Sequence, residues 1–471
     1  MRGPALCLVS AILAACAGQR PDPPGSAAVV APSDWRNGGG GASSAPETAW
    51  WRGFGDPVLT KLVQRALANN VDIAVAVTRV EEGRAELAFA RGKQLPSAEF
   101  GGGAKRERYL NDLGIPVSDL AEEAQVSVSY DLDLFGRLKN ATEASRASLL
   151  ATAAARDGVN LAVASAAASG YLGLRTLDAR LTVVQETVDE RKESLRIARR
   201  LAQSGYATRL EVEQAEAELY GTQQLVPPLE LAIRQQENAL SVLLGDDPHG
   251  IERGTELSAI SSPTLPSLLP STLLRRRPDI AEAERNIVAA DRSLDAARAA
   301  FMPDVRLGAS GGYVNSSLIP DPVAVFSLGA SILAPLYEGG RLHAQADAAA
   351  ARRDEAAFAY RKAALNAFRE VENALAAVQH TAERELILLQ QRDALARALE
   401  QATKRYRAGY SSYLDQLDAQ RGLLSAELSV VQASGDHLAA IVSLFQALGG
   451  GWEASPVVAL RSVALTPAAS D

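Results

Sequence analysis

Cysteine is almost absent from this chain: there are two in 471 residues, Cys7 and Cys16, both at the N-terminus. The body therefore has no disulfide framework and no thiolate to hold a metal. Histidine is nearly as sparse. His249, His343, His380 and His437 are scattered, with no pair at metal-ligand spacing. The glycine runs at 101–103 and 449–451 lack the Gly-Lys-Ser/Thr of a phosphate loop, and no catalytic constellation emerges. Neither an enzyme nor a bound metal or cofactor is expected. Basic excess is missing too: the net charge is -8 and the pI near 5.4, which argues against nucleic acid. No window approaches the eighteen apolar residues of a membrane-spanning helix. Composition alone describes a water-soluble protein.

The first residues, MRGPALCLVSAILAAC, disagree. One basic residue, Arg2, precedes an apolar run from Ala5 to Ala15 that closes on small residues. This pattern predicts an export signal over 1–15, removed on maturation. Leu13-Ala14-Ala15-Cys16 resembles the bacterial lipobox, in which the cysteine is lipidated and becomes the first residue. The alternative is an ordinary signal with an incidental cysteine. Ala17, in place of an aspartate, favours the outer membrane by the same resemblance. From Ala17 to Pro46 the chain is rich in Pro, Gly, Ser and Ala, which cannot bury enough apolar surface to fold. Residues 16–50 therefore read as a lipidated N-terminus and flexible linker.

What is present in abundance is repetition. Sliding the chain by 207 residues aligns 71–96 with 278–303, matching Asp72/Asp279, Ile73/Ile280, Leu87/Leu294, Arg91/Arg298 and Pro96/Pro303. At an offset of 204, Arg137-Leu138 meets Arg341-Leu342, Gly205-Tyr206 meets Gly409-Tyr410, and Leu244-Gly245 meets Leu448-Gly449. The chain is an internal duplication: a first repeat over 51–245, a linker over 246–270, a second repeat over 271–452, and a tail over 453–471.

Each copy predicts the same order of elements. A helix over 57–94 or 278–301 stops before Pro96 or Pro303. A glycine-rich segment with period-2 stretches follows. Val126, Val128, Tyr130, Leu132 and Leu134 fall on one side of one strand, and Phe326, Leu328, Ala330 and Ile332 on one side of another. Their partners, AEFGGGAKRERY and DVRLGASGGY, are weaker strands because glycine lowers strand preference. A proline-free helix over 137–204 or 341–408 then spans roughly 100 Å at 1.5 Å per residue. A Gly-Tyr corner reverses it, and a helix returns over 207–245 or 411–448. Pro227-Pro228 should kink the first return, whereas Val431-Gln432 leaves the second straighter. Such alanine-rich helices are unstable alone and must pack side by side, with Arg191, Lys192, Arg199 and Arg200 marking solvated faces. The strands admit two readings: a small sheet capping this column, or part of an outer-membrane barrel.

The duplicated order of helix, strand pair, long helix, corner and return helix resembles the TolC/OprM-like outer-membrane efflux channel family over about 50–452. The residues that carry the resemblance begin with Leu134-Phe135-Gly136-Arg137 and its echo, Leu336-Tyr337-Glu338-Gly339-Gly340-Arg341. Arg275-Arg276-Arg277-Pro278-Asp279-Ile280 and Ala408-Gly409-Tyr410 through Leu417-Asp418-Ala419-Gln420 complete the set. The resemblance implies a mainly α fold with a small β part. Its duplicated helical hairpins would form a coiled-coil tunnel, and its four strands per chain would join a trimeric transmembrane barrel. The implied partners are two further copies, a periplasmic membrane-fusion adaptor, an inner-membrane pump and outer-membrane lipid. The implied role is the exit duct of a tripartite exporter.

Within that frame, Gly205, Tyr206, Gly409 and Tyr410 become the hairpin tips that meet the adaptor. Asp415 and Asp418, three apart on one helix, share a face. As residues alone they suit a solvated helix start. By resemblance they line the closed periplasmic entrance, while the other copy carries Glu211 and Gln214. Tyr406 aligns with a tyrosine that tethers the closed state in some members; Ser411 falls where some of those carry a basic partner, for which Arg209 and Arg407 are candidate substitutes. Tyr406 and Glu211 are the candidate tether, and ordinary interhelical packing of Tyr406 is the alternative. Secretion of a polypeptide, or a coiled-coil lipoprotein scaffold without a pore, are the rival readings.

Overall fold

The computed structural model describes residues 20–36, 47–266 and 269–452. The export signal, Cys16 and the tail at 453–471 lie outside the described residues. Eight helices and four strands carry the argument. In the first repeat they are α1 (Pro57–Asn69), α2 (Val71–Gly92), β1 (Ser97–Leu110), β2 (Pro116–Asp131), α3 (Arg137–Gln203), α4 (Arg209–Gln223) and α5 (Val226–Leu243). In the second they are α6 (Pro278–Ala299), β3 (Asp304–Ser316), β4 (Val323–Leu333), α7 (Arg341–Arg407) and α8 (Tyr413–Ala447). The chain forms two compact units. Of the described residues, one unit contains those through Val29, Val77–Ala153 and Ile280–Ala363; the other contains those within Val30–Ala76, Ala154–Asp279 and from Ala364 on.

One helix expected to be continuous is divided, and the first return helix is interrupted where its proline pair was expected to kink it, each for a local reason. Asn70 separates α1 from α2. Its Oδ1 accepts from the N–H groups of Asp72 and Ile73 at 2.9 and 3.2 Å, capping α2, while its Nδ2 donates to the Leu243 carbonyl. The first return helix ends at Gln223 and restarts at Val226, with Pro227-Pro228 in the first turn of α5. Its counterpart α8 runs unbroken for 35 residues. An 18-residue window of α8 reaches a mean hydropathy of 1.3, enough by length and composition to cross a membrane, contrary to the expectation from sequence. Its apolar residues include Leu438, Ile441, Val442, Leu444 and Phe445, which are buried core positions.

In the first unit the strands form one antiparallel sheet in the order β1-β2-β3-β4, so β1 and β4 are both edges. Register decides which side chains share a face. Phe100 lies beside Val126, Val126 beside Gly311, and Gly311 beside Phe326. Ala98, Val128, Ala309 and Leu328 form the next row. This face also carries Tyr130, Leu307, Ala330 and Ile332, and it is bare: Phe326 is 90 % exposed and Leu328 84 %. The opposite face is hydrophilic. Ser97 bonds Ser129 at 2.8 Å and Ser310 bonds Ser327 at 2.9 Å, with Glu99, Glu123 and Gln125 on the same side. Leu132 and Leu134, expected to extend the β2 pattern, lie beyond its end, where Asp133 caps α3 through the N–H groups of Leu138 and Lys139.

The same unit gives part of the expected linker a fixed course. Arg353 of α7 is buried and donates to the carbonyls of Pro21 and Asp22 at 2.5 and 3.0 Å. Arg20 pairs with Asp291 and Asp295 of α6. Charge-assisted bonds to backbone carbonyls hold a segment too polar to pack by burial alone.

In the second unit the inter-repeat linker is anchored through Asp56. This buried carboxylate caps α1 through the N–H groups of Val58 and Leu59, and also accepts from Tyr171 Oη at 2.9 Å and Thr255 N at 3.0 Å. Burial, then the neighbouring Asp56, pushes the Tyr171 phenol up to about 12, against a bond with the Gly254 backbone.

Candidate functional site

Both corners lie in the second unit and share one backbone solution. Gly205 and Gly409 each adopt φ +77°. Tyr206 N donates to the Leu201 carbonyl at 2.8 Å, and Tyr410 N to the Arg405 carbonyl at 2.9 Å. Gly205 N and Gly409 N bond three residues back, to Ala202 and Tyr406. This is the Schellman arrangement, which satisfies the last carbonyls of α3 and α7 and needs a left-handed residue where only glycine is unstrained. Tyr206 and Tyr410 project at 85 % and 79 % exposure, with Leu210 and Leu414 also exposed.

The chain then starts the return helix with a capping residue, Thr208 in one copy and Ser412 in the other. Thr208 Oγ1 accepts from Glu211 N, and Ser412 Oγ from Asp415 N, both at 3.3 Å. Here the copies part. The Asp415 carboxylate turns back to accept from Ser412 N at 3.0 Å, completing a capping box. Glu211 does not close the box. Its carboxylate accepts instead from Tyr406 Oη at 3.4 Å, a long bond linking α4 to α7. The Tyr406 ring leans on Tyr413, with centroids 5.4 Å apart. Burial first, and then the Glu211 charge, pushes the Tyr406 phenol up to about 12.

Asp418 lies on the exposed face of α8, its side chain 70 % accessible and 3.7 Å from Arg421. Arg421 binds Glu218 of α4 through Nε at 2.8 Å and also through Nη2. Arg191, expected on a solvated face with Lys192, Arg199 and Arg200, is instead 3 % exposed, while those three are exposed. It donates to Gln420 of α8. Burial pulls its guanidinium below the usual value, opposed by Glu218 and Tyr413. Beneath these groups lies an apolar cluster of Val184, Val188, Leu195, Leu219 and Leu417.

Tyr406 and Glu211 are thus brought together, whereas Asp415 and Asp418 are held on α8 by different partners. Arg191, Glu218, Gln420 and Arg421 had no place in the expected site. One signal for them was available: the motif ending at Gln420 continues into Arg421, a charge directly after an amide on the α8 face that meets α4. Among the described residues no group of three or more His, Cys, Asp or Glu side chains is placed to hold a metal.

Comparisons with known proteins agree with this architecture. The family model described as "Outer membrane efflux protein" matches residues 62–246 and 269–450, one match per repeat. The pyoverdine export outer membrane protein OpmQ of Pseudomonas aeruginosa is 34 % identical over 464 residues, covering 95 % of this chain and 97 % of that protein. The toluene efflux pump outer membrane protein TtgC of Pseudomonas putida is 34 % identical over 425 residues, covering 87 % and 86 %. The solved outer-membrane channel OprN superposes with a TM-score of 0.85 at 28 % identity, covering 92 % of this chain and 99 % of its own. The open state of the Neisseria gonorrhoeae MtrE channel gives 0.82 at 29 % identity, covering 92 % and 98 %. The duplicated helical hairpins, the two-faced sheet and the paired corners thus belong to a chain that is a member of the outer membrane efflux protein family, a family of outer-membrane channels.

Proposed function

We propose that this chain forms, as a homotrimer, the exit duct of a tripartite efflux system, passing small molecules from an inner-membrane pump and periplasmic adaptor to the outside. The observation that carries this reading is the sheet: four strands, both edges open, one face apolar and bare, the other hydrophilic. Lipid tolerates no unpaired strand edge, so four strands need other copies. Three copies supply twelve strands, well above the minimum for a barrel. Small-molecule cargo is supported by relatives named for pyoverdine and toluene.

In this reading Gly205-Tyr206 and Gly409-Tyr410 form the tips that meet the adaptor. Asp415 and Asp418 line the periplasmic entrance. Tyr406 with Glu211, and Arg421 with Glu218, hold the second-repeat helices against α4 and keep that entrance narrow. Cys16 carries the lipid anchor, after removal of 1–15. The repeats at 51–245 and 271–452 are the two pseudo-equivalent halves of the wall, joined by 246–270 and followed by the tail at 453–471.

The test is planar-bilayer conductance of the purified protein beside an Asp415→Ala/Asp418→Ala variant. Small, cation-selective, divalent-blocked currents that enlarge in the variant are expected. A conducting wild type with an unchanged variant removes the aspartates from the gate. No conductance from a verified native oligomer overturns the duct in favour of a scaffold.

A further inference from the structure

The apolar face of the sheet ends in two arginines. Along β1 it presents Ala98, Phe100, Gly102 and Ala104, then Arg106 and Arg108, and these share their face with Val128, Val126, Ala124, Glu122, Leu120 and Ser118 of β2. Both arginines are exposed, and neither side chain makes an ion pair or hydrogen bond among the described residues. Neighbouring charges are engaged elsewhere. Lys105 and Glu107 point to the hydrophilic face and pair with each other at 2.6 Å. Glu122, a carboxylate on the arginines' own face, accepts from Asn315 Nδ2 at 3.2 Å.

Position along the strand gives these cations a meaning. Barrel strands rise about 3.4 Å per residue and tilt by roughly 40°, so the climb from Ala98 is about 20 Å at Arg106 and about 26 Å at Arg108. The outward apolar band of an outer-membrane barrel is about 25 Å tall. The two guanidiniums therefore straddle its upper boundary, two residues apart on one face. The opposite boundary is marked by Leu134, Phe135, Leu336 and Tyr337, exposed where β2 and β4 return toward the helices. Exposed apolar and aromatic side chains lie at both interfaces, Tyr109, Leu110, Leu113 and Ile115 among them near the Arg106 end; what that end adds is the pair of guanidiniums on the apolar face.

We propose that Arg106 and Arg108 bind the phosphate groups of the phosphorylated glycolipid that forms the outer leaflet of the outer membrane. A guanidinium matches a phosphate with two parallel N–H donors, and two guanidiniums on one face present two such pairs. The apolar rows beneath them, Phe100 with Val126 and Ala98 with Val128, receive the acyl chains of the same lipid. The inference rests on the barrel part of the proposed function, which supplies the outward direction of this face.

Native mass spectrometry of the full-length oligomer in non-ionic detergent tests it, after incubation with bisphosphorylated lipid A or with its dephosphorylated form. Wild type is expected to retain the phosphorylated lipid at least tenfold more than the dephosphorylated one, and to lose it as salt is raised. Arg106→Gln/Arg108→Gln should lower retention about tenfold, and Arg106→Lys/Arg108→Lys should keep most of it. If the double glutamine variant does not assemble, each single glutamine variant is expected to bind several-fold less than wild type. Equal retention by wild type and the glutamine variants overturns the proposal. So does equal retention of both lipids, or full competition by millimolar inorganic phosphate, which would mean an unspecific anion effect. Failure of the channel reading would appear separately, as an oligomer that retains lipid but conducts nothing.

Discussion

The corner of the first repeat and the corner of the second have the same backbone and opposite chemistry. Both turn on a glycine at φ +77°, both close the same Schellman bonds, and both restart on a capping hydroxyl. The acid three residues after each cap then does different work. Aspartate is short enough to reach back to its own cap; glutamate, one methylene longer, reaches across to Tyr406. The surroundings diverged with it. At the 204-residue offset Tyr406 corresponds to Ala202, Tyr413 to Arg209 and Arg191 to Leu395. The aromatic pair, the buried cation and the cross-link to α4 therefore have no counterpart on the other side. Duplication preserved what the backbone needs and left the side chains free to link one corner to a neighbouring helix.

The sharpest break in that comparison is Arg191. Arg191→Ala should lower the local opening free energy of the α3–α8 contact by about 2–3 kcal/mol, because a partly buried amide loses its donor and the cluster loses the packing of a buried side chain. Its neighbour Lys192, exposed and paired with Asp189 at 2.8 Å, should cost under about 0.5 kcal/mol when truncated. Amide hydrogen exchange across 185–200 and 413–425 reads both; equal effects would mean that burial of Arg191 counts for nothing.

The two glycines come next and probe what the copies share. Gly205→Ala and Gly409→Ala should each cost about 1 kcal/mol in exchange protection of their flanking turns, to the same extent. A large difference between them would show that the corners are not backbone equivalents.

Smaller effects separate the acids. Asp415→Ala should lose about 1 kcal/mol of helix-start stability, whereas Glu211→Ala should lose less, since Asp415 closes a capping box and Glu211 does not. The readout for Glu211 is the tyrosine titration. Tyr406 binds its proton more tightly in the folded chain, so its contribution to stability is fully present below pH 10 and lost as pH rises from 10 to about 12. Ultraviolet titration of the Glu211→Ala variant should show Tyr406 ionising nearer 10. Asp418→Asn, at an exposed position, should change stability least, by under about 0.5 kcal/mol. A conductance change in that variant would then report charge at the entrance rather than loosened structure.

Much of this was readable in the chain itself. The break at Asn70 was implicit in the alignment of Val71-Asp72-Ile73-Ala74 with Pro278-Asp279-Ile280-Ala281, where the second copy starts its helix. Pro227-Pro228 marked the interruption of the first return helix. The glycine-rich strands were harder, because a strand without side chains on one face shows little alternation; register with β2 and β3 was needed to assign Gly102 and Gly311 to the apolar side. Arg191 was misread because nothing within a turn of it in sequence says that Gln420 and Tyr413 will cover it.

By itself, then, the sequence determined the duplication, the order and approximate length of the helices and strands, and the two corners. Each of these rests on local preference: periodicity over a few turns, a proline that ends a helix, a glycine free to take positive φ. Only the tertiary structure decided which side of the glycine-rich strands joins the apolar face, which of four basic residues is buried, and whether a corner acid serves its own helix or a neighbour. Those depend on groups brought close from hundreds of residues away, and burial and charge pairing follow distance in space, which spacing along the chain does not encode.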